Sequence, residues 1–445
     1  MAKPIRVVLT GDLHVGRRPS RVSDHIDCKR CSCAAAWGAV VEFALDQRAD
    51  VVAISGDLVD RDNRFYEAFG PIERGLRRLA DADVETVAVA GNHDFDVLPK
   101  LADHMATSRF RVLGRGGQWQ RHTIERDGRP VLHVDGWSFP AESYLDNPLR
   151  GLPAAPADAL PVLGLLHADL DQPGSRYAPV VMAELRAACH RLWLLGHVHK
   201  PALHEADGCA SVLYPGSPQG MDPGETGTHG PWLLELDGSP RPRPRHVPMC
   251  RVRYEEIEIS VGGAATADEL RNCILRGLQA RLKGFCNDCG PLELVSARLV
   301  LTGRTPLHRR LRELVRDIEP DLELRVDPFD CRVERITFQT RPAIDLAELA
   351  RGSGPPAALA RLLGDLEREG PASNGAASPA AGLLDDLTRK LGEVWEARPY
   401  LPLCRSTDAE RPAEGAPDAA RARLLLREQG LLLLDEMLAQ KDGTA

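Results

Sequence analysis

Long apolar runs are missing from this sequence. No stretch of 18 or more consecutive apolar residues occurs, so no membrane-spanning helix is expected. A secretory leader is not evident either. Met1-Ala-Lys-Pro4 passes straight into the short apolar run 5–9, too short for a leader's apolar region and cleavage site. Cysteine is sparse: 11 in 445 residues, an odd number. That excludes a disulfide scaffold and, with the missing leader, predicts reduced thiols and a cytoplasmic protein. An excess of positive charge is also lacking. With 64 acidic and 56 basic residues the formal net charge is -8. A broadly basic, electrostatically adhesive protein is thereby excluded, and any nucleic-acid contact must rest on local basic clusters. What is present is ordinary for a globular chain: 43% hydrophobic and 27% charged residues. The length suits two or three domains of roughly 100–200 residues each.

Period and composition divide the chain into three parts. Runs rich in Val, Ile and Leu recur at 5–9, 51–55, 86–90, 131–134, 162–166 and 192–195. Such short runs suit buried strands. Helical spacing occupies 34–47 and 66–80. Strands alternating with helices predict a layered α/β fold. Alternating proline and arginine at 241–248 reads as an extended linker, which sets a first domain at 1–248. Strands at 252–260, 292–301 and 331–339 and helices at 266–282 and 306–318 then compose a small α+β domain at 249–342. Residues 343–445 turn rich in Leu, Ala, Arg and Glu and predict a helical region, with a flexible linker at 370–382. Two leucine clusters, 424–426 and 431–434, predict a C-terminal helix with one strongly apolar face. That face either packs on its own domain or docks on a partner helix.

Five apolar runs of the first domain end in polar, metal-capable residues. They read Gly11-Asp12-Leu13-His14, Gly56-Asp57-Leu58-Val59-Asp60, Gly91-Asn92-His93-Asp94, His167-Ala168-Asp169 and Gly196-His197-Val198-His199. Ligands gather beyond the carboxyl ends of strands in open α/β sheets, so five such ends can converge. The glycines permit sharp departures from the strands. Carboxylate with imidazole suits borderline divalent metals such as manganese, iron or zinc. Asp12 and His14, two apart, can both reach one ion. His197 and His199 share that spacing and can reach two neighbouring ions. Asp57 can bridge both, and Asn92 offers a neutral carbonyl oxygen. Two ions roughly 3.5–4 Å apart can clamp the attacking and leaving oxygens of a phosphoryl displacement. Each fragment alone reads as easily as a helix cap, a turn or a surface pair. All five in order argue against that bland reading.

The order of motifs resembles the calcineurin-like metallophosphoesterases over about residues 5–235. The resemblance implies a four-layer α/β sandwich of two mixed sheets flanked by helices, with a dinuclear centre. One ion would take Asp12, His14, Asp57 and His199. The other would take Asp57, Asn92, His167 and His197. His93 would meet the phosphate or protonate the leaving oxygen, and Asp94 would orient His93. The ions would most readily be manganese, with iron, magnesium or zinc as alternatives. Within the superfamily, Tyr214-Pro-Gly-Ser-Pro-Gln-Gly220 and Glu225-Thr-Gly-Thr-His-Gly230 look like the SbcD-type, YhaO-like DNA repair exonucleases. That implies DNA as substrate and a role in double-strand-break repair. Residues 249–342 would be a capping domain that presents DNA, and the helical region would grip an SbcC-like coiled-coil ATPase. A homodimer is a further implication. The alternatives are a small-molecule phosphodiesterase or phosphatase with the same site, and a catalytically silent DNA-binding scaffold.

Two further features bear on function. Arg17, Arg18 and Arg21 follow the first motif, and Arg61 and Arg64 follow the second. They read either as cations at the rim of the site, where phosphates need them, or as solvated loop charges. His25-Ile-Asp-Cys28-Lys-Arg-Cys31-Ser-Cys33 gathers three cysteines in six positions. With His25 or with the distant Cys286 and Cys289 they can hold zinc; otherwise they are ordinary loop thiols.

Overall fold

The computed structural model describes residues 3–22, 29–61, 68–105, 109–205, 210–238, 243–286, 290–367, 379–395 and 417–441. Two compact units form, 1–342 and 343–445. Among the described residues, no helix is long and apolar enough to cross a membrane.

The first unit opens with twelve strands: β1 (Ile5–Thr10), β2 (Val51–Ile54), β3 (Glu85–Ala88), β4 (Phe110–Val112), β5 (Gln120–Arg126), β6 (Arg129–Trp137), β7 (Val162–His167), β8 (Leu192–Gly196), β9 (Ala202–His204), β10 (Ser211–Tyr214), β11 (Trp232–Leu236) and β12 (Arg245–His246). They make two six-stranded sheets, in the orders β12-β11-β1-β2-β3-β4 and β5-β6-β7-β8-β10-β9. Each sheet is parallel at its centre and antiparallel at an edge.

Strand alternation explains the layering. Val8, Val52 and Ile54 point to one face, where Trp37, Val40, Ile72 and Leu76 of the helices Cys33–Asp46 and Phe69–Asp81 cover them. Val7, Leu9, Val51, Ala53 and Val87 point to the other face and meet Leu132, Val134, Leu163, Leu165 and Leu194 of the second sheet. The second sheet's outer face, with Trp193, Leu195 and Val212, is covered by Leu185 and Ala178. The result is the expected four-layer sandwich. Burial on both faces is why these strands read as near-continuous apolar runs. Residues 245 and 246 of the proline–arginine segment are not a free linker. They pair with β11 as the edge of the first sheet.

The small domain's sheet comprises β13 (Val252–Ser260), β14 (Leu294–Thr305), β15 (Leu324–Val326) and β16 (Phe329–Pro342), in the order β13-β14-β16-β15. Its main helix, Ala267–Phe285, begins at a capping box in which Thr266 and Glu269 satisfy each other's backbone N–H groups. Leu270, Ile274, Leu278 and Leu282 recur every four residues, and all are buried against Ile257, Ile259 and Leu299. Each such side chain stabilises the fold by about 1.5–3 kcal/mol when fully buried.

In the second unit, helices Pro355–Glu367, Pro379–Trp395 and Ala419–Lys441 pack around Leu363, Leu366, Ala380 and Leu434. Residues 379–382, expected as linker, form the first turn of a helix; 368–378 lie outside the described residues. The last helix lacks the single apolar face expected of it. Leu434 is buried, whereas Leu424 and Leu433 are exposed.

Candidate metal centre

The five strand ends converge. Asp12 and His14 follow β1, Asp57 follows β2, Asn92 and His93 follow β3, His167 ends β7, and His197 and His199 follow β8. The first three come from one sheet and the last two from the other, so the site straddles the seam between the sheets.

Local backbone geometry is unusual there. Asp12, His14, Asp57 and His197 have φ of 49°, 43°, 51° and 93°, the left-handed region that side chains avoid. Four strained non-glycine residues in one cleft mark a functional site. Gly56, at φ 101°, supplies conformational freedom. Gly91 supplies space instead. A Cβ there would lie 2.1 Å from Asp57 Oδ1 and 2.8 Å from His167 Cε1. The expected reason for the glycines, a sharp departure, thus holds at Gly56, while close approach governs Gly91.

Two three-residue sets bring their ligand atoms within 4.8 Å of one another at the centre: Asp12, His14 and His199, and Asp12, Asp57 and His167. His14 Nε2 and His199 Nε2 face each other at 3.1 Å. His14 Nε2 lies 3.7 Å and His167 Nε2 3.5 Å from Asp57 Oδ2. Asn92 Oδ1 lies 3.0 Å from His167 Nε2. Nitrogens and oxygens crowd inward on a common space, and they are buried. Asp12 and His167 are fully buried, and Asp12 Oδ2 has no hydrogen-bond partner. A buried carboxylate oxygen without a donor is costly unless a cation faces it. The donor set therefore fits divalent metal ions. His197 enters differently. Its backbone N–H donates to Asp12 Oδ1 at 2.9 Å, its ring packs on Tyr177, and its Nε2 lies 3.4 Å from Asp169.

Burial governs the electrostatics of the metal-free site. It pushes the Asp12 carboxyl up to about 6, against the pull of His199 and of the His197 N–H. Asp57 is likewise held well above its ordinary value, by burial and by the charges of Asp94 and Asp12. Burial also lowers His14 to about 4 and depresses His167, whose proton is further disfavoured by His197. Asp12 and Asp57, which resist ionising, and His14 and His167, which resist protonation, are what a cation site looks like without its cation. His199 is the exception, raised against its burial by the hydrogen bond to Glu225.

The residues around this centre partly rearrange the expected roles. Asp94 does not orient His93. Its Oδ2 accepts the Leu58 and Val59 N–H groups and its Oδ1 that of Gly91, so it ties the loops after β2 and β3 together. The carboxylate beside His93 is Asp60, whose Oδ1 lies 3.8 Å from His93 Nδ1 and 3.3 Å from His14 Nδ1. Asp60 was visible as the second acid of its motif but carried no expected role. Glu225 is the other omission: its Oε1 accepts from His199 Nδ1 at 2.8 Å. It lies 26 residues downstream, and no spacing rule would have linked the two.

Of the arginines, Arg17 reaches the site, with Nε 4.0 Å from Asp60 Oδ1. Arg18 is exposed. Arg61 pairs with Glu142, and Arg64 lies outside the described residues. Among the described residues, no cysteine belongs to the three metal-capable sets. Cys31 is buried among Val252, Tyr254 and Leu294. Cys33 begins a helix, and its thiol is pushed up to about 12 by burial. Neither is an exposed loop thiol. His25, Cys28 and Cys289 lie outside the described residues.

Comparison with known proteins agrees with the geometry. Residues 5–201 match the family described as calcineurin-like phosphoesterase. Residues 254–341 match the middle domain of metallophosphoesterase YhaO. The uncharacterized metallophosphoesterase YhaO of Bacillus subtilis is 25% identical over 44% of this chain and 48% of its own length. The DNA double-strand break repair protein Mre11 of Aeropyrum pernix is 24% identical over 62% of this chain and 67% of its own. Its namesake in Haloferax volcanii is 30% identical over 52% and 49%. The chain thus spans about half the length of the YhaO relative. Motif order, a four-layer sandwich and a converging donor set all agree with these matches: residues 5–201 are a calcineurin-like phosphoesterase domain, and residues 254–341 a YhaO-type middle domain that follows it.

Proposed function

We propose that the chain is a metal-dependent nuclease that hydrolyses DNA phosphodiester bonds. The observation that carries this reading is the inward-facing set of Asp12, His14, Asp57, Asn92, His167 and His199 at the sheet seam, all buried but the half-buried His199. Asp12, His14, Asp57 and His199 would hold one divalent ion. Asp57, Asn92, His167 and His197 would hold the other, the His197 ring turning from Asp169. Manganese is the expected metal, because mixed carboxylate and imidazole ligands suit it. When bound, such a pair supplies Lewis-acid polarisation of phosphate oxygens and a water of lowered pKa.

The chain's own residues supply the rest. His93 is half-buried at the mouth of the site, edge-on to His14 at 4.7 Å. Asp60 draws its Nδ1 proton inward and leaves Nε2 to meet a phosphate oxygen or protonate the leaving group. The 3.8 Å separation exceeds a hydrogen bond and would close when substrate binds. Burial holds His93 below its ordinary pKa, against the pull of Asp60, so the ring must gain a second proton, which an anionic phosphate beside it favours, before it protonates the leaving oxygen. Among the described residues Arg17, 4.0 Å from Asp60, offers a cation for a flanking phosphate, and Arg18 and Arg61 would add to it; Arg64 lies outside the described residues.

DNA as substrate draws support from the Mre11 relatives, which are repair proteins by name. On that basis residues 1–248 are the nuclease domain, 249–342 the capping domain that presents DNA, and 343–445 the helical region that meets an SbcC-like ATPase in double-strand-break repair. Manganese-loaded protein should be offered labelled double- and single-stranded DNA beside nucleotides and simple phosphoesters. Cleavage of DNA supports the reading. Hydrolysis confined to small phosphoesters moves the protein to the small-molecule phosphodiesterases, and loaded protein inert on every substrate makes it a scaffold.

A further inference from the structure

We propose that Glu225 is the positioning residue for His199, and that the first strand of the small domain holds Glu225 in place. The seating of that domain would thereby set the geometry of the metal centre. The proposal rests on the metal-site reading above and extends it to residues outside the ligand set.

The contact on His199 has a defined chemical result. Glu225 Oε1 lies 2.8 Å from His199 Nδ1, and the Glu225 side chain is only 12% exposed. A carboxylate there keeps the proton on Nδ1, which leaves the Nε2 lone pair for an ion. That Nε2 is the atom facing His14 Nε2 at 3.1 Å. Glu225 therefore fixes both the tautomer and the aim of His199 without touching the centre.

Glu225 is itself held from several sides. Its Oε2 accepts the Met221 N–H at 2.8 Å and the Ser217 hydroxyl at 3.2 Å. Its backbone N–H donates to Asp222 O at 2.9 Å. His229 Nε2 lies 3.1 Å from its carbonyl oxygen, while His229 Nδ1 lies 2.8 Å from Ser217 O. The loop 215–230 is thus one hydrogen-bonded body around the carboxylate.

That body is tied to β13, the strand that opens the small domain. Gly227 N–H donates to Tyr254 O at 3.0 Å. Gln219 clamps the strand's start: its Oε1 accepts the Arg251 and Val252 N–H groups at 2.9 and 3.2 Å, and its Nε2 donates to Val252 O at 2.7 Å. Both Gln219 and Tyr254 are buried. The Tyr254 hydroxyl donates to Ser20 O, and Ser20 N–H donates to Met221 O at 2.8 Å, which closes the ring. A continuous hydrogen-bonded path therefore runs from Val252 and Tyr254 to His199. Cys31 packs on the same two residues, so one buried thiol of the cysteine cluster belongs to this seam.

Manganese titration of the full, metal-stripped chain by calorimetry tests the proposal through binding rather than catalysis. Glu225→Ala should weaken one binding step by about 10–100-fold, the usual effect of removing a group that orients a ligand. Glu225→Gln should fall between wild type and alanine. Its single oxygen can serve His199 or Met221 but not both. Nitrogen NMR of the His199 ring in the metal-free protein, at alkaline pH where the ring is neutral, should show the Nδ1–H form in wild type and a mixture in Glu225→Ala, a change that loosened packing elsewhere does not produce. Gln219→Ala, which touches no ligand, should weaken the same step. Two unchanged steps in both Glu225 variants overturn the positioning role. Normal binding by Gln219→Ala overturns the link to the small domain. Wild-type chain that binds no manganese instead overturns the metal-site reading itself, so the two failures are distinguishable.

Discussion

Replacing Gly91 with alanine should disable metal binding while leaving the fold intact. The added Cβ would lie 2.1 Å from Asp57 Oδ1 and 2.8 Å from both Asp57 Cγ and His167 Cε1. Cβ contacts do not fall below 3.0 Å, so the carboxylate must retreat by about 0.9 Å. Asp57 cannot retreat freely. Its Oδ1 accepts the His93 N–H at 3.0 Å, and its backbone is in the left-handed region. A misplacement of about 1 Å at a reacting constellation is worth on the order of 10²-fold, or about 2.7 kcal/mol. Overpacking would cost the fold about 1–3 kcal/mol more. Gly38 is the control. It lies within the helix Cys33–Asp46, with nothing within 4 Å of an added Cβ. Alanine there should stabilise by about 0.5–1 kcal/mol through helix propensity. Calorimetry with manganese and thermal unfolding of both variants separate the two effects. A folded Gly91→Ala protein that binds manganese as wild type does would refute the reasoning, since Asp57 would not then need its position.

The other expected outcomes follow from the same geometry. His93→Ala should keep both metal-binding steps and lose roughly 10²–10⁴-fold in hydrolysis, the range for a general acid; equal loss of binding and turnover would instead make His93 a ligand. Asp60→Asn should lower turnover and also weaken manganese binding by about 10–100-fold, because Asp60 faces both His93 and His14. Apparent manganese affinity should fall as pH drops through and below about 6, by about tenfold per pH unit for each proton displaced, with Asp57, raised well above its ordinary value, and His199, also raised, adding to the fall. Asp12, pushed up to about 6 by burial, must lose its proton to bind, whereas His14, lowered to about 4, is already neutral there. The sign is the same for stability: manganese at a hundred times its Kd should stabilise the fold by about 2.7 kcal/mol, and a fixed concentration should raise Tm more at pH 7 than at pH 5. A larger rise at pH 5 would contradict the assignment of Asp12.

The legible and illegible parts of the chain differ in physical terms. Strands β1, β2, β7 and β8 announce themselves because both of their faces are buried, which leaves apolar runs between polar loops. β5 does not, because it is an edge strand of mixed polarity, with Ile124 its one fully buried position. β9, three residues with none fully buried, is too short to show a period. The candidate donor residues were readable because each ends a strand or follows one within four residues, so chain order maps onto position in the sheet. Asp60 and Glu225 were not assignable because their roles depend on distances across loops rather than on spacing. The Asp94 role failed for a related reason. A carboxylate next to a histidine in sequence points away from it when the chain turns, and here it accepts the N–H groups of the neighbouring loop.

The central claim is a centre of two ions bridged by Asp57, and metal counting tests it most directly. Metal-stripped chain should be dialysed to equilibrium against manganese, in parallel with Asp57→Asn, and the bound ion counted per chain. Wild type should hold two ions and the variant should lose tight binding of both, because each ion would share that carboxylate. A single ion in wild type, or two retained by Asp57→Asn, would contradict the account.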